Sequence, residues 1–159
     1  MKIFVESKYA KMVLKALGLP EAVLTRGHGK EDVIKKIIDC EGEMGMIDAD
    51  PEHDEPRPLG EFEKVKECPE KNELRKMKRK TKFLVVVVPC LREWLAYTLT
   101  RRYGKSPEDF GLPNEPGRLK KVVGQTSGRR ALAKCAEWLK EQAKEIQNLK
   151  ECLECLHRD

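Results

Sequence analysis

Aromatic side chains are scarce in this chain: Phe, Trp and Tyr together make up 6% of its 159 residues. Aliphatic residues must therefore form most of the core. The basic runs also have no aromatic neighbours, which argues against a stacking platform for single-stranded nucleic acid. Long apolar runs are missing as well. The longest, from Phe83 to Val88, is far too short to span a bilayer. Met1 leads straight into Lys-Ile-Phe-Val with no apolar stretch of signal length, so a soluble, cytoplasmic protein without membrane partners is expected. A strong charge of one sign is absent. The net charge of +5, from 32 basic and 27 acidic residues, is too modest for a dedicated nucleic-acid coat. Asn and Gln are few while charged residues reach 37%, a balance that leans toward a thermophile.

Two further absences limit the chemistry. Cys152-Leu-Glu-Cys155-Leu-His157 resembles half of a zinc site, but no second C-x-x-C exists to complete four ligands. Packing is the better reading for that pair. The six cysteines, Cys40, Cys68, Cys90, Cys135, Cys152 and Cys155, are read as buried thiols rather than disulfides. No internal repeat or low-complexity tract is present, and the length suits one domain with one core.

The residues that are present alternate between two periods. Lys2 to Glu6 read as a short buried strand ending in a carboxylate. Residues 8–18 read as a helix with Met12, Val13, Ala16 and Leu17 at helical spacing and Gly18 as its stop. Ala22 to Thr25 predict a second strand, Gly27-His28-Gly29 a turn, and Glu31 to Cys40 a second helix with Val33, Ile34, Ile37 and Ile38 inward. Met44 to Ile47 predict a third strand. The order β-α-β-α-β argues for a parallel, right-handed, layered sheet.

Residues 51–80 interrupt this order as a charged insertion, polar and proline-rich and then basic from Arg75 to Lys80, where a hairpin or short helix has no readable position. Phe83 to Val88 predict a central strand, apolar on both faces. From about residue 90 the chain reads as helical. Leu91 to Tyr103 form one helix, 104–117 a Pro/Gly loop, and 119–123 either helix or strand. A long terminal helix runs from about Arg130 to Leu156, with Leu132, Cys135, Ala136, Leu139, Ala143, Ile146 and Leu149 as its stripe.

The candidate site comes from strand-terminal acids. Ligands of open parallel sheets bind outside the carboxyl ends of the strands. Glu6 ends the first strand, and Asp48 and Asp50 follow the third. Three carboxylates converging there are costly to keep ionised without a cation, and hard oxygen donors select Mg²⁺, Mn²⁺ or Ca²⁺ over softer metals. Residues two apart on an extended segment face the same side, so Asp48 and Asp50 are placed to share an ion.

Ile3-Phe4-Val5-Glu6, then a helix, then Arg26-Gly27-His28-Gly29-Lys30, then Gly45-Met46-Ile47-Asp48-Ala49-Asp50 resembles the Toprim domain. That fold is shared by topoisomerases, primases, recombination-repair proteins and the overcoming-lysogenization-defect nucleases. The resemblance covers about the first 100 residues. It implies a three-layer α/β/α, Rossmann-like fold with a mostly parallel central sheet, residues 1–159 forming one domain, and a Mg²⁺ ion (or Mn²⁺) held by Glu6, Asp48 and Asp50 for phosphodiester chemistry. Pro89-Cys90-Leu91-Arg92-Glu93-Trp94-Leu95 is similar to a segment of small stand-alone Toprim proteins in which a helix acid faces the metal site, which makes Glu93 the matching candidate. Lys120 or Lys121, before Gly128-Arg129-Arg130-Ala131-Leu132-Ala133, matches their lysine; Lys121 is taken as the catalytic candidate.

The expected activity is metal-dependent hydrolysis of DNA or RNA, with Glu93 bridging a second ion, Lys121 stabilising negative charge on the phosphate, and Glu6 alternatively acting as general acid/base. The rival reading is a non-catalytic module that binds nucleic acid or nucleotide. Tyr9, Tyr97 and Tyr103 fall on helices, which argues against a covalent tyrosine step. Arg75–Lys80 is read as a basic cluster near the site, either contacting phosphate or simply solvated. His28 and His53 are assigned no role. Oligomeric state is not readable.

Overall fold

The computed structural model describes residues 2–39, 44–49, 54–67, 74–88 and 90–142. The expectations for Cys40, Asp50, His53, Cys68, Cys152 and Cys155, and for the terminal helix beyond residue 142, lie outside them.

Apolar three- to six-residue segments form the parallel part of the sheet. These are β1 (Ile3–Val5), β2 (Leu24–Arg26), β3 (Met44–Asp48) and β6 (Lys82–Val87). β1 pairs in parallel with β2 and β3, and β3 pairs in parallel with β6. Two more strands extend the sheet: β5 (Leu74–Arg79) pairs antiparallel with β6, and β4 (Glu63–Glu67) pairs antiparallel with β5. The result is a mixed α/β architecture around one six-stranded sheet of order β2-β1-β3-β6-β5-β4.

Helices cover both faces, because successive side chains of each strand point to opposite sides. One face presents Ile3, Val5, Met44, Met46, Val85 and Val87. It packs on α1 (Lys8–Ala16), α3 (Leu91–Tyr97), α4 (Pro116–Val123) and α5 (Thr126–Gln142). The other face presents Phe4, Ile47, Leu84 and Val86 to α2 (Lys30–Asp39), whose Val33, Ile34 and Ile37 are fully buried. Each helix shows the spacing that such a face requires: Tyr9, Ala10, Val13 and Leu14 on α1, and Leu132, Cys135, Ala136 and Leu139 on α5. Ser7 caps α1, its Oγ accepting the Ala10 N–H at 3.1 Å.

Several local expectations are corrected. The second strand starts later, at Leu24, because Glu21–Val23 form a 3₁₀ turn. The 91–103 helix is α-helical only to Tyr97, and Thr98–Arg102 continue as a π turn in which the buried Thr98 hydroxyl donates to Trp94 O at 2.9 Å. The loop at 104–117 contains a 3₁₀ turn, Pro107–Phe110. Residues 119–123 are helical, within α4. The terminal helix starts earlier than Arg130, at Thr126.

The interval 51–80 holds a 3₁₀ turn at Arg57–Glu61 and the two antiparallel strands. Its basic run is β5 itself. Leu74 pairs with Val87 at the carboxyl edge, and Arg79 pairs with Lys82 at the far edge. At about 3.4 Å per residue the strand carries Arg79 and Lys80 some ~17 Å away from the edge where the acids lie. Lys80 sits in the hairpin turn with φ 55. Only the Arg75 end of the cluster is near that edge.

Candidate functional site

The carboxyl edge of β1, β3 and β6 is built by three successive strand-to-helix turns. After β1, Glu6 and the cap Ser7 lead into α1. After β3, Asp48 and Ala49 leave the sheet, with Ala49 N–H donating to Val87 O at 2.7 Å. After β6, Cys90 precedes α3. A fourth turn, Arg26–Lys30, closes over this edge from β2. Gly27 N–H donates to Val5 O at 2.8 Å, and Gly29 N–H reaches Glu6 O at 3.3 Å. Gly29 does so at φ +105, a conformation that favours glycine over any side-chain-bearing residue.

Glu6 and Asp48 meet here. Although 42 residues apart in sequence, they are joined directly: the Asp48 backbone N–H donates to Glu6 Oε2 at 3.0 Å. The Asp48 side chain turns toward α3, its Oδ1 accepting the Leu91 N–H at 2.8 Å. Both carboxyl groups are half-buried and fixed by backbone donors. Each backbone donor favours the orientation in which it is accepted. This N-terminal turn of α3 also carries Glu93, which is exposed. The predicted third ligand, Asp50, lies outside the described residues.

Lys121 does not join this group in any described contact; it stands exposed on α4. The cation that reaches the rim is Lys30, whose Nζ donates to Ala49 O at 3.1 Å. Its place in the Arg26–Lys30 turn, directly before α2, was the available signal, but nothing in the linear sequence says that this turn folds over the third strand. His28 is exposed, and its backbone N–H donates to Asp32 Oδ2 at 2.8 Å as part of the start of α2. The Lys36 ammonium, and then the His28 N–H, hold the Asp32 carboxyl below its ordinary range. Tyr9 is buried in the core and Tyr103 packs edge-on to Trp138, so both are packing residues.

Beside the acids, a cleft of about 280 Å³ opens between the start of α1, the end of β2 and the α4–α5 corner. Ser7, Lys8, Arg26 and Arg129 line it, over an apolar floor that includes Met12 and Val123. Lys8, Arg26 and Arg129 are exposed, so three positive charges line a cleft that begins at Ser7, the residue after Glu6.

Glu6 and Asp48 are hard oxygen donors. A carboxylate offers about four acceptor positions, so one backbone hydrogen bond leaves it able to bind a cation. Among the described residues no group of three His, Cys, Asp or Glu side chains is close enough to hold a metal ion. A pair nevertheless fits Mg²⁺, which usually keeps several waters and takes only one or two carboxylates together with substrate phosphates. Among the described residues no helix is long and apolar enough to cross a membrane. Compared with known proteins, the chain matches no family model, no curated protein and no solved structure.

Proposed function

We propose that this chain is a Toprim-like phosphodiesterase that cleaves nucleic acid with Mg²⁺ or Mn²⁺. The observation that carries this reading is the meeting of Glu6 and Asp48 at the carboxyl edge of adjacent parallel strands. Each acid accepts one backbone N–H, which leaves most of its acceptor positions at the half-buried rim in need of a further reason. Ligand binding outside the carboxyl ends of such strands supplies one.

In this reading Glu6 and Asp48 hold the ion, with Asp50 as the third ligand. A divalent ion bound there polarises a phosphate oxygen and lowers the pKa of water beside it. The protein's own part is orientation. The Asp48 N–H orients Glu6, and the Leu91 N–H orients Asp48, which lowers the reorganisation the two carboxyl groups would need on binding. Lys30 ties the loop after β3 to the turn after β2. Lys8, Arg26 and Arg129 supply the positive cleft along which a phosphate backbone would lie, because backbone contacts need charge rather than sequence-reading groups. Glu93 stands on the same turn of α3 as the amide that holds Asp48, and is the candidate for a second ion. Lys121 keeps its proposed role only if substrate reaches α4.

The test is incubation of the protein with end-labelled DNA and RNA in Mn²⁺ and in EDTA. Metal-dependent cleavage is expected, lost in Asp48→Asn. Asn retains an acceptor for the Leu91 N–H, so this variant should fold. Cleavage that persists unchanged in Asp48→Asn and in Glu6→Gln sinks the proposal. Retention of nucleic acid without cleavage in any metal identifies the non-catalytic module instead.

A further inference from the structure

The cleft that begins at Ser7 gathers positive charge from three elements. Lys8 opens α1, Arg129 lies in the first turn of α5, and Arg26 ends β2. Helix dipoles already make those two first turns electropositive, and neither turn carries an acid. No carboxylate lines the cleft either. Cations elsewhere are matched. Further along α1, Lys11 pairs with Glu21 at 3.7 Å, and on α2 Lys36 pairs with Asp32 at 2.8 Å. Lys8 and Arg26 have no such partner among the described residues. Arg129 reaches only back to its own turn, Nε to Gln125 O at 3.5 Å and Nη2 to Thr126 Oγ1 at 3.4 Å, both long contacts. Ser7 Oγ accepts the Ala10 N–H, which leaves its own O–H to donate.

Cations gathered without a counter-charge repel one another, and an anion in the cleft relieves that repulsion. Charge is only half of the site. The half-buried Met12 and the buried Val123 floor it, so the anion needs an apolar body. A volume of about 280 Å³ is at the small end of ligand sites, which commonly run to roughly 300–1,000 Å³. One nucleotide is an anionic unit of that kind. A long row of stacked bases is not, since that needs a series of aromatic rings. A base inside a duplex is paired and stacked, and must be turned out before a concave site can take it. Bases of a single strand are already accessible. Charge alone favours the duplex, whose phosphates are denser along the axis. The apolar floor favours the single strand.

We propose that this cleft takes one unpaired nucleotide of a single strand, with its phosphate on Lys8, Arg26 and Arg129 and its sugar and base over Met12 and Val123. That the scissile phosphate lies nearby rests on the reading of Glu6 and Asp48 as a metal site; binding in the cleft does not. Arg26, Val5 and Met46 share one register across β2, β1 and β3, and Asp48 stands two residues past Met46, on the same face of the sheet. Strands about 4.8 Å apart put β2 and β3 roughly 10 Å from each other. Roughly two or three nucleotides of one strand, at ~3.4 Å each, cover that distance.

The experiment is fluorescence anisotropy in EDTA over a salt series, so that no metal site contributes. The probes are a labelled single-stranded DNA oligonucleotide, the same sequence as a duplex, and adenosine monophosphate as competitor. The single strand should bind several-fold tighter than the duplex. Arg26→Gln and Arg129→Gln should each weaken it several-fold and lower its salt slope by about 0.7. Met12→Lys is the deciding variant. It adds a positive charge, so a surface that reads charge alone would bind both nucleic acids more tightly. With a base on the floor, it should instead erase the preference for the single strand. The Lys stem can cover the same apolar surface, and a melt checks that the variant folds. The proposal is overturned if the duplex binds as tightly as the single strand, or if both Arg variants leave single-strand binding unchanged. It is also overturned if adenosine monophosphate binds as tightly as the oligonucleotide, or if Met12→Lys tightens both nucleic acids equally. A single-strand preference in EDTA with no cleavage in Mn²⁺ keeps the cleft and sinks the phosphodiesterase reading. Cleavage in Mn²⁺ without any strand preference does the reverse.

Discussion

The parallel half of the sheet and its antiparallel edge are built by opposite rules. In β1, β3 and β6 the side chains on both faces are buried, with Val5, Leu84, Val85 and Val87 completely inaccessible. In β4 and β5 charged residues alternate with one another. β5 reads Leu-Arg-Lys-Met-Lys-Arg, and of its residues only Leu74 is buried. The edge strands hold their place through ladder hydrogen bonds and the stems of their cations. Lys76 and Lys78 both lie over the Phe83 ring, each at 5.5 Å. Arg79 pairs with Glu61 at 2.7 Å across to the 3₁₀ turn. The lesson is that one sheet can combine a hydrophobic core with a wet, charged extension. The acidic rim belongs to the half that is buried on both faces.

That contrast can be broken in four ways, from the largest expected effect to the smallest. Trp94, 1% exposed under the parallel half, should cost about 4 kcal/mol when changed to Ala, as buried Trp truncations do. Val65→Ala on β4, where the side chain is 47% exposed, should stay within about 0.5 kcal/mol. Urea unfolding measures both, and a comparable cost at Val65 would erase the distinction. The second pair is glycine. A Cβ on Gly45 of β3 would sit 2.8 Å from Val33 Cγ1 and 3.1 Å from Leu84 Cδ1, so Gly45→Ala should destabilise by about 2 kcal/mol. At Gly60 the same change meets open space and should be neutral or stabilising by about 0.5 kcal/mol.

The third comparison sharpens the rim. Asp48→Ala strips the acceptor from the Leu91 N–H and should cost about 1 kcal/mol, whereas Asp48→Asn should cost less. Equal losses would mean that the hydrogen bond does not hold α3 in place. The fourth comparison is pH-dependent. Burial on the inner face of α5 pushes the Cys135 thiol up to about 12 from an ordinary value of 9.0. A raised folded value means that the unfolded chain loses its proton first. The stability contributed is thus complete below about pH 9 and is lost as pH rises toward about 12. Cys135→Ala should flatten that alkaline decline in pH-dependent melts, and native Cys135 should resist thiol reagents until the protein unfolds. On the acid side the Lys15 contact lowers the Glu21 carboxyl, so its small contribution fades only below the usual carboxylate range.

The parallel half was legible because burial on both faces forces a simple code. Apolar runs, Gly18 as a helix stop and the spacing of Val33, Ile34 and Ile37 each point to one local structure. The antiparallel edge was not. Lys and Arg in a strand carry no period-two signal when both faces are charged, and the partner that makes β5 a strand is Phe83 to Val87, further along the chain. The π turn after α3 is a tertiary outcome of the same kind, set where Thr98 becomes fully buried and bonds to Trp94 O. Of the candidate site, Glu6 and Asp48 were readable as acids at strand ends. Lys30, Lys8, Arg26 and Arg129 were not, because their convergence depends on which turns lie side by side.

The amino-acid order by itself determined the βαβ alternation, the apolar strands and two acids placed where strands end, since these depend on neighbours within a few residues. Only the tertiary structure decided that β1 and β3 would be adjacent, and that Asp48 would donate its amide to Glu6 and lend its carboxylate to α3. Those outcomes rest on pairing between segments tens of residues apart, where the energy comes from burial and backbone hydrogen bonding that no local pattern encodes.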